Sequence, residues 1–199
     1  MERTSVQKLA RVLRVMIIAI FVCNILALFA IPMLVVAEWI NFDGGAVDFG
    51  LGALKSLLDP EMGPESSAWL GYMLVLSWLA VFEEAYTAVL TLFLWACGVC
   101  TAVILWQGKR VLDTVLVGEP FSMKNAANLK RAAVCCFIIS GAALVRVVWG
   151  LVNHAGIRSL LTYNALFVPV FLVGGLLFLV MSALFRQAAE LKAENDLTI

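Results

Sequence analysis

Hydrophobic and polar positions in this chain fall into long blocks. Residues 15–37, 85–106 and 165–185 carry no charge, and residues 132–152 carry one, Arg146. Wound as an α-helix at about 1.5 Å per residue, each block reaches across a hydrocarbon core of about 30 Å. The expected fold class is therefore an all-α membrane protein with four transmembrane helices. A cleaved signal peptide would need an apolar core of only about 7–15 residues, so 15–37 reads as an anchor, with Pro32 placed to kink its last turns.

Residues 68–106 are the ambiguous part. They are mostly apolar but too long for one span, and Glu83 and Glu84 interrupt them. Two full spans would need a reversal within two residues and would turn the following basic segment outward. The expectation is one span over 85–106, with 68–82 as an interfacial helix, a re-entrant helix or an extension of that span. Residues 38–84 as a whole read as an external insertion. It is acidic, carrying Glu38, Asp43, Asp48, Asp59, Glu61 and Glu65 against Lys55, and rich in Gly and Pro, with a short helix expected near 51–58. The acids match no EF-hand spacing and read as a solvated face.

Charge orients the spans. Residues 107–131 form a polar loop holding Lys109, Arg110, Lys124, Lys130 and Arg131, and short loops rich in Lys and Arg stay on the cytoplasmic side. The N-terminal 14 residues add Arg3, Lys8, Arg11 and Arg14, either as a short amphipathic helix at the membrane surface or as a topogenic cluster. The polar tail 186–199 adds Arg186 and Lys192. Together these three segments hold 11 of the 14 basic residues, which places both termini in the cytoplasm and makes residues 1–199 a single integral domain of the cell membrane.

Composition agrees. The chain is 63% hydrophobic and 14% charged, against roughly 45–50% apolar and 25% charged in soluble domains. The bilayer is the first partner, and a homo-oligomer is a second. No tail is basic enough to contact nucleic acid directly. All five cysteines lie in apolar blocks, where they behave as small hydrophobes. Cys97 and Cys100 sit one turn apart, and Cys135 and Cys136 lie at a loosely similar depth. Helix packing accounts for them better than metal or redox chemistry. Ala132, Cys136 and Ser140 on one span, and Thr87, Thr91, Gly98 and Ala102 on another, form small-residue packing stripes.

Arg146 is the sharpest candidate for chemistry, about 21 Å along its span and close to the outer boundary. Charges inside spans are usually paired or water-facing, and the expected partners are Glu83 and Glu84, with Glu38 and the lone His154 at the same level. Such a cluster would be either an external ligand site, for a transporter or receptor, or a structural ion pair. No nucleophile elbow, zinc-protease helix, phosphate loop or dinucleotide fingerprint occurs, so no enzyme activity, metal or cofactor is expected.

Within the basic loop, Gly118, Glu119, Pro120 and Phe121 make a turn. Ser122 follows as a helix N-cap, and Asn125, Leu129, Lys130 and Arg131 feed the third span. The chain closes on Glu194, Asn195, Asp196, Leu197 and Thr198. In these features the chain resembles a bacterial family of small four-span membrane proteins, domain of unknown function twenty-nine seventy-five. The resemblance spans all four helices in order and implies a partner, a small Cro/CI-type helix-turn-helix regulator. It brings no catalytic residues. The matching turn residues Gly118, Pro120, Phe121 and Asn125, with Glu194, Asn195 and Asp196 of the tail, are the expected docking positions. Gly174, Gly175 and Pro169 weaken or bend the helix that leads to the tail.

Overall fold

The computed structural model describes residues 2–39, 64–83, 85–118, 121–154 and 163–197. These residues form five helices: α1 (Glu2–Trp39), α2 (Pro64–Ala80), α3 (Ala85–Val117), α4 (Met123–His154) and α5 (Tyr163–Leu197). Among the described residues there is no strand. Four helices are long and apolar enough to cross a bilayer, over Lys8–Val36, Ala85–Val117, Met123–Leu151 and Ala165–Asn195. The protein is a multi-pass membrane protein. Most of the insertion expected to be external, including Asp43, Asp48, Asp59, Glu61 and the helix expected near 51–58, lies outside the described residues.

The helices run past the apolar blocks. α3 continues through Lys109 and Arg110 to Val117, and α4 starts at Met123. The polar loop expected over 107–131 is thus two helix ends joined through 118–122. Val111, Leu112, Val115 and Leu116 keep the i, i+3, i+4 apolar spacing of a helix, and Lys109 donates to Asp113 one turn on. α1 likewise begins at Glu2 with no break before its span, and α5 carries the tail as helix to Leu197.

The chain divides into two compact units. One comprises Met1–Asn24 and Cys97–Ile199, and the other Ile25–Ala96.

In the first unit α4 is the central helix. It buries 39% of its most apolar window, against 6% for α5. Its buried face runs through Ala126, Leu129, Ala132, Ala133, Cys136, Ile139, Ser140, Ala143 and Val147, the helical repeat that lets small side chains bring backbones close. Two serines fix the antiparallel register of α4 and α5. Ser140 Oγ donates to the Val168 carbonyl at 2.9 Å, and Ser182 Oγ donates to the Ala126 carbonyl at 2.7 Å. On each helix these anchors stand about four turns apart, roughly 21 Å. Between them the Phe137 ring lies over Gly175, where a Cβ would come within 2.8 Å of the ring, whereas a Cβ on Gly174 would meet nothing.

In the second unit α2 and α3 are separate helices joined by a turn at 81–83. The Val81 N–H donates to the Ser77 carbonyl and the Glu83 N–H to the Ala80 carbonyl, both at 3.1 Å. The buried Thr87 hydroxyl closes the corner on the Val81 carbonyl at 2.8 Å. Trp78 and Trp95 stack with centroids 5.0 Å apart, whereas one straight helix would separate them by about 25 Å. α2 therefore folds back beside α3, which removes the straight-extension alternative. Its 17 residues reach about 25 Å, short of a full hydrocarbon core. In α1 the Trp95 indole N–H donates to the Leu28 carbonyl at 3.1 Å, four residues ahead of the buried Pro32.

Candidate functional site at the basic helix ends

The charged ends of the first unit are built around three tied features: the α3 terminus, the 118–122 turn and an ion-paired carboxylate. Gly118 closes α3 at φ 89°, a left-handed conformation that costs glycine nothing sterically. Its N–H donates to the Val115 carbonyl at 3.1 Å. Ser122 opens α4 as its N-cap. The Asn125 N–H donates to the Ser122 carbonyl at 3.0 Å and to its Oγ at 3.3 Å, satisfying a donor that the helix start leaves over.

Asn125 then locks the turn. Its side chain is completely buried, and its amide donates to the Thr114 hydroxyl across the helix pair. Thr114 in turn donates to the Val111 carbonyl at 2.7 Å. Phe121 packs on Phe185 with centroids 5.4 Å apart, so α5 is joined to the same corner. Outward from this fixed corner stand three apolar side chains, Val117 at 81% exposure, Phe121 at 50% and Met123 at 54%.

Beside the turn, Asp113 joins α1 to α3. One of its oxygens lies 2.9 Å from Arg14 Nε and the other 3.1 Å from Lys109 Nζ. Lys109 and Arg110 both sit over the Trp106 ring, at 5.2 and 6.0 Å from its centroid, and Trp106 packs on Phe21 of α1 at 5.7 Å. The arrangement sets Arg14 and Lys109 on the carboxylate of Asp113 and Arg110 beside them on the Trp106 ring. It is suited to recognising anionic or apolar surfaces, and it brings together no nucleophile and base for catalysis.

Four of the expected docking positions belong to or flank the turn. Gly118 ends α3, Phe121 stands just ahead of α4 and Asn125 lies in its first turn, while Pro120 lies outside the described residues. Glu194 and Asn195 are exposed on the last turns of α5, and Asp196 is helical. In the expected outer cluster, Arg146 is half-buried on α4. Glu83 belongs to the turn of the second unit, Glu84 lies outside the described residues, and His154 ends α4 with its side chain outside them. The structure does bring the cysteines together. Cys100 of α3 stands against Cys135 of α4, with Cys97 and Cys136 close by. All are free thiols, and among the described residues no His, Cys, Asp or Glu group is arranged to hold a metal ion.

Asp113, Thr114, Ser182 and Phe185 were not singled out by sequence. Asp113 carried one signal, as an acid one turn after Lys109, but its link to Arg14 joins positions far apart in the chain.

The profile of a protein family described as "Protein of unknown function (DUF2975)" matches residues 61–199. The chain belongs to the DUF2975 family. The matched region takes in α2 to α5, the 118–122 turn and the tail, while α1 lies ahead of it. No curated protein and no solved structure matches the chain. DUF2975 thus supplies membership, while the helical membrane architecture and the chemistry rest on the helices and residues described above.

Proposed function

We propose that this DUF2975 protein sits in the cell membrane with both termini and the 118–122 turn in the cytoplasm, and that this face docks a small helix-turn-helix transcription regulator. On this reading the protein relays an envelope signal to the regulator or sequesters it, and is not itself an enzyme. The orientation is supported by the basic residues gathered at this end, from Lys8, Arg11 and Arg14 through Lys109, Arg110, Lys124, Lys130 and Arg131 to Arg186 and Lys192. The observation that carries the docking reading is the exposure of Val117, Phe121 and Met123 on a corner held by the buried Asn125. Exposed apolar side chains at the polar helix ends on either side of 119–120 suit a protein contact.

Relay requires two packings that bind the partner differently, because a signal with equal affinity for both states shifts nothing. α5 is the natural carrier, since it holds both Phe185 against the turn and the tail. The test is co-expression with a small Cro/CI-type helix-turn-helix regulator from the same genome, followed by co-purification. Full-length protein should recover the regulator, and Val117→Ser with Phe121→Ser should lose it. Failure of the full-length protein to recover it would overturn the reading. Equal recovery from a chain ending at Gln187 would remove the tail from the contact.

A further inference from the structure

On the outward face of the α3–α4 pair lies an open groove of about 450 Å3, lined by Val103, Ala127, Lys130, Arg131, Val134 and Cys135. The five α4 residues fall at i, i+3, i+4, i+7 and i+8, one face of a helix. The groove crosses the boundary of the membrane-spanning stretch: Lys130 and Arg131 end the basic segment, and Val134 and Cys135 lie a turn deeper, in the apolar run that begins at Ala132. Val103 closes it from α3, and two turns on, along the same side of α3, stands the exposed Arg110.

We propose that this groove is a binding site for one anionic phospholipid, its phosphate held by Lys130 and Arg131 and one acyl chain lying along Val134, Cys135 and Val103. Charge decides the occupant. Among the described residues the ion pairs are Arg14–Asp113, Lys109–Asp113 and Arg186–Glu190. Asp113 and Glu190 are thus engaged with other cations, and neither Lys130 nor Arg131 takes part in any of these pairs. A second copy of the chain packed face to face on this groove in the same orientation would set its own Lys130 and Arg131 at the same level, cation against cation. A neutral lipid would leave the two cations uncompensated, and a soluble phosphate would leave the apolar wall uncovered. A basic pocket between spanning helices, apolar on its deeper side, fits a lipid with a negative headgroup.

The test uses the full-length protein in a neutral detergent. Native mass spectrometry is run against phosphatidylglycerol, phosphatidylcholine of the same acyl chains, and glycerol-3-phosphate. The expected result is one retained phosphatidylglycerol per chain, at least about tenfold preferred over phosphatidylcholine, and no retention of glycerol-3-phosphate. Lys130→Gln with Arg131→Gln should abolish the preference. Val134→Trp, which fills the groove without touching a charge, should lower retention while the melting temperature without lipid stays close to that of the unaltered protein. Equal retention of the two lipids, phosphatidylglycerol binding unchanged in both variants, or a dimer that Val134→Trp converts to monomer without altering lipid retention would each overturn the proposal.

Discussion

The Trp95 indole N–H donates to the Leu28 carbonyl at 3.1 Å, and Leu28 is the residue whose carbonyl loses its helical donor to Pro32. A proline inside a helix has no N–H for the carbonyl four residues back, and in a bilayer an unanswered carbonyl has no water to turn to. Trp95 supplies the missing donor from α3 while its ring stacks on Trp78 of α2. One side chain thus ties three helices at the proline of α1.

Trp95→Phe keeps most of the ring and removes the donor. Hydrogen bonds between membrane helices average about 0.6 kcal/mol and reach about 1.7, so the variant should lose stability within that range. In a Pro32→Ala background the backbone regains its own donor, and the cost of Trp95→Phe should fall to less than about half. Thermal unfolding of the four proteins of this cycle in detergent gives the coupling directly.

Asp113 bridges Arg14 and Lys109, but both partners are partly exposed, with side-chain exposures of 41% for Arg14 and 35% for Asp113. Solvent screening therefore limits its contribution. Asp113→Asn should cost about 0.5–1 kcal/mol at low ionic strength. The difference from the unaltered protein should shrink in 1 M salt, where the screening length is about 3 Å. Melting curves at two salt concentrations check both statements.

The adjacent glycines of α5 should respond in opposite ways. Gly175→Val drives side-chain atoms into the Phe137 ring, and overpacking of this kind costs about 1–3 kcal/mol. Gly174→Ala enters open space and should be neutral or stabilising, by up to about 1 kcal/mol from helix propensity. Equal effects at the two positions in a denaturation series would show that Phe137 does not rest on Gly175.

Asn125→Ala removes the buried amide that holds Thr114. Losing one partner of a buried hydrogen bond costs about 1–3 kcal/mol. The corner that presents Phe121 should loosen, seen as faster amide exchange at 118–126. Recovery of the regulator should fall even where the protein still inserts.

The four spans and the Gly118–Asn125 turn were legible in sequence because each is a local pattern: long uncharged runs, a glycine closing a helix, and a serine three residues before Asn125. Helix beyond the membrane was harder to see. Lys109 and Arg110 suggested a loop, although Val111, Leu112, Val115 and Leu116 kept the helical period. Pro32 was recognisable as a kink, but nothing near it in the chain pointed to Trp95 as the donor. Gly175 suggested a weak point in α5, and the structure puts an aromatic ring against it. The reversal of α2 was hidden because the turn at 81–83 contains no glycine or proline, and only the Trp78–Trp95 contact reveals it. Arg14–Asp113 depends on tertiary pairing that no spacing in the sequence encodes.

The central claim, that the basic helix ends and the 118–122 turn face the cytoplasm, is tested by single-cysteine labelling. Native cysteines are first replaced, and Phe121→Cys and Phe82→Cys are then made separately, both at exposed positions. Intact cells are treated with a membrane-impermeant maleimide. Position 82 should label in intact cells, and position 121 only after permeabilisation. Labelling of position 121 in intact cells, with position 82 protected, would contradict the claim.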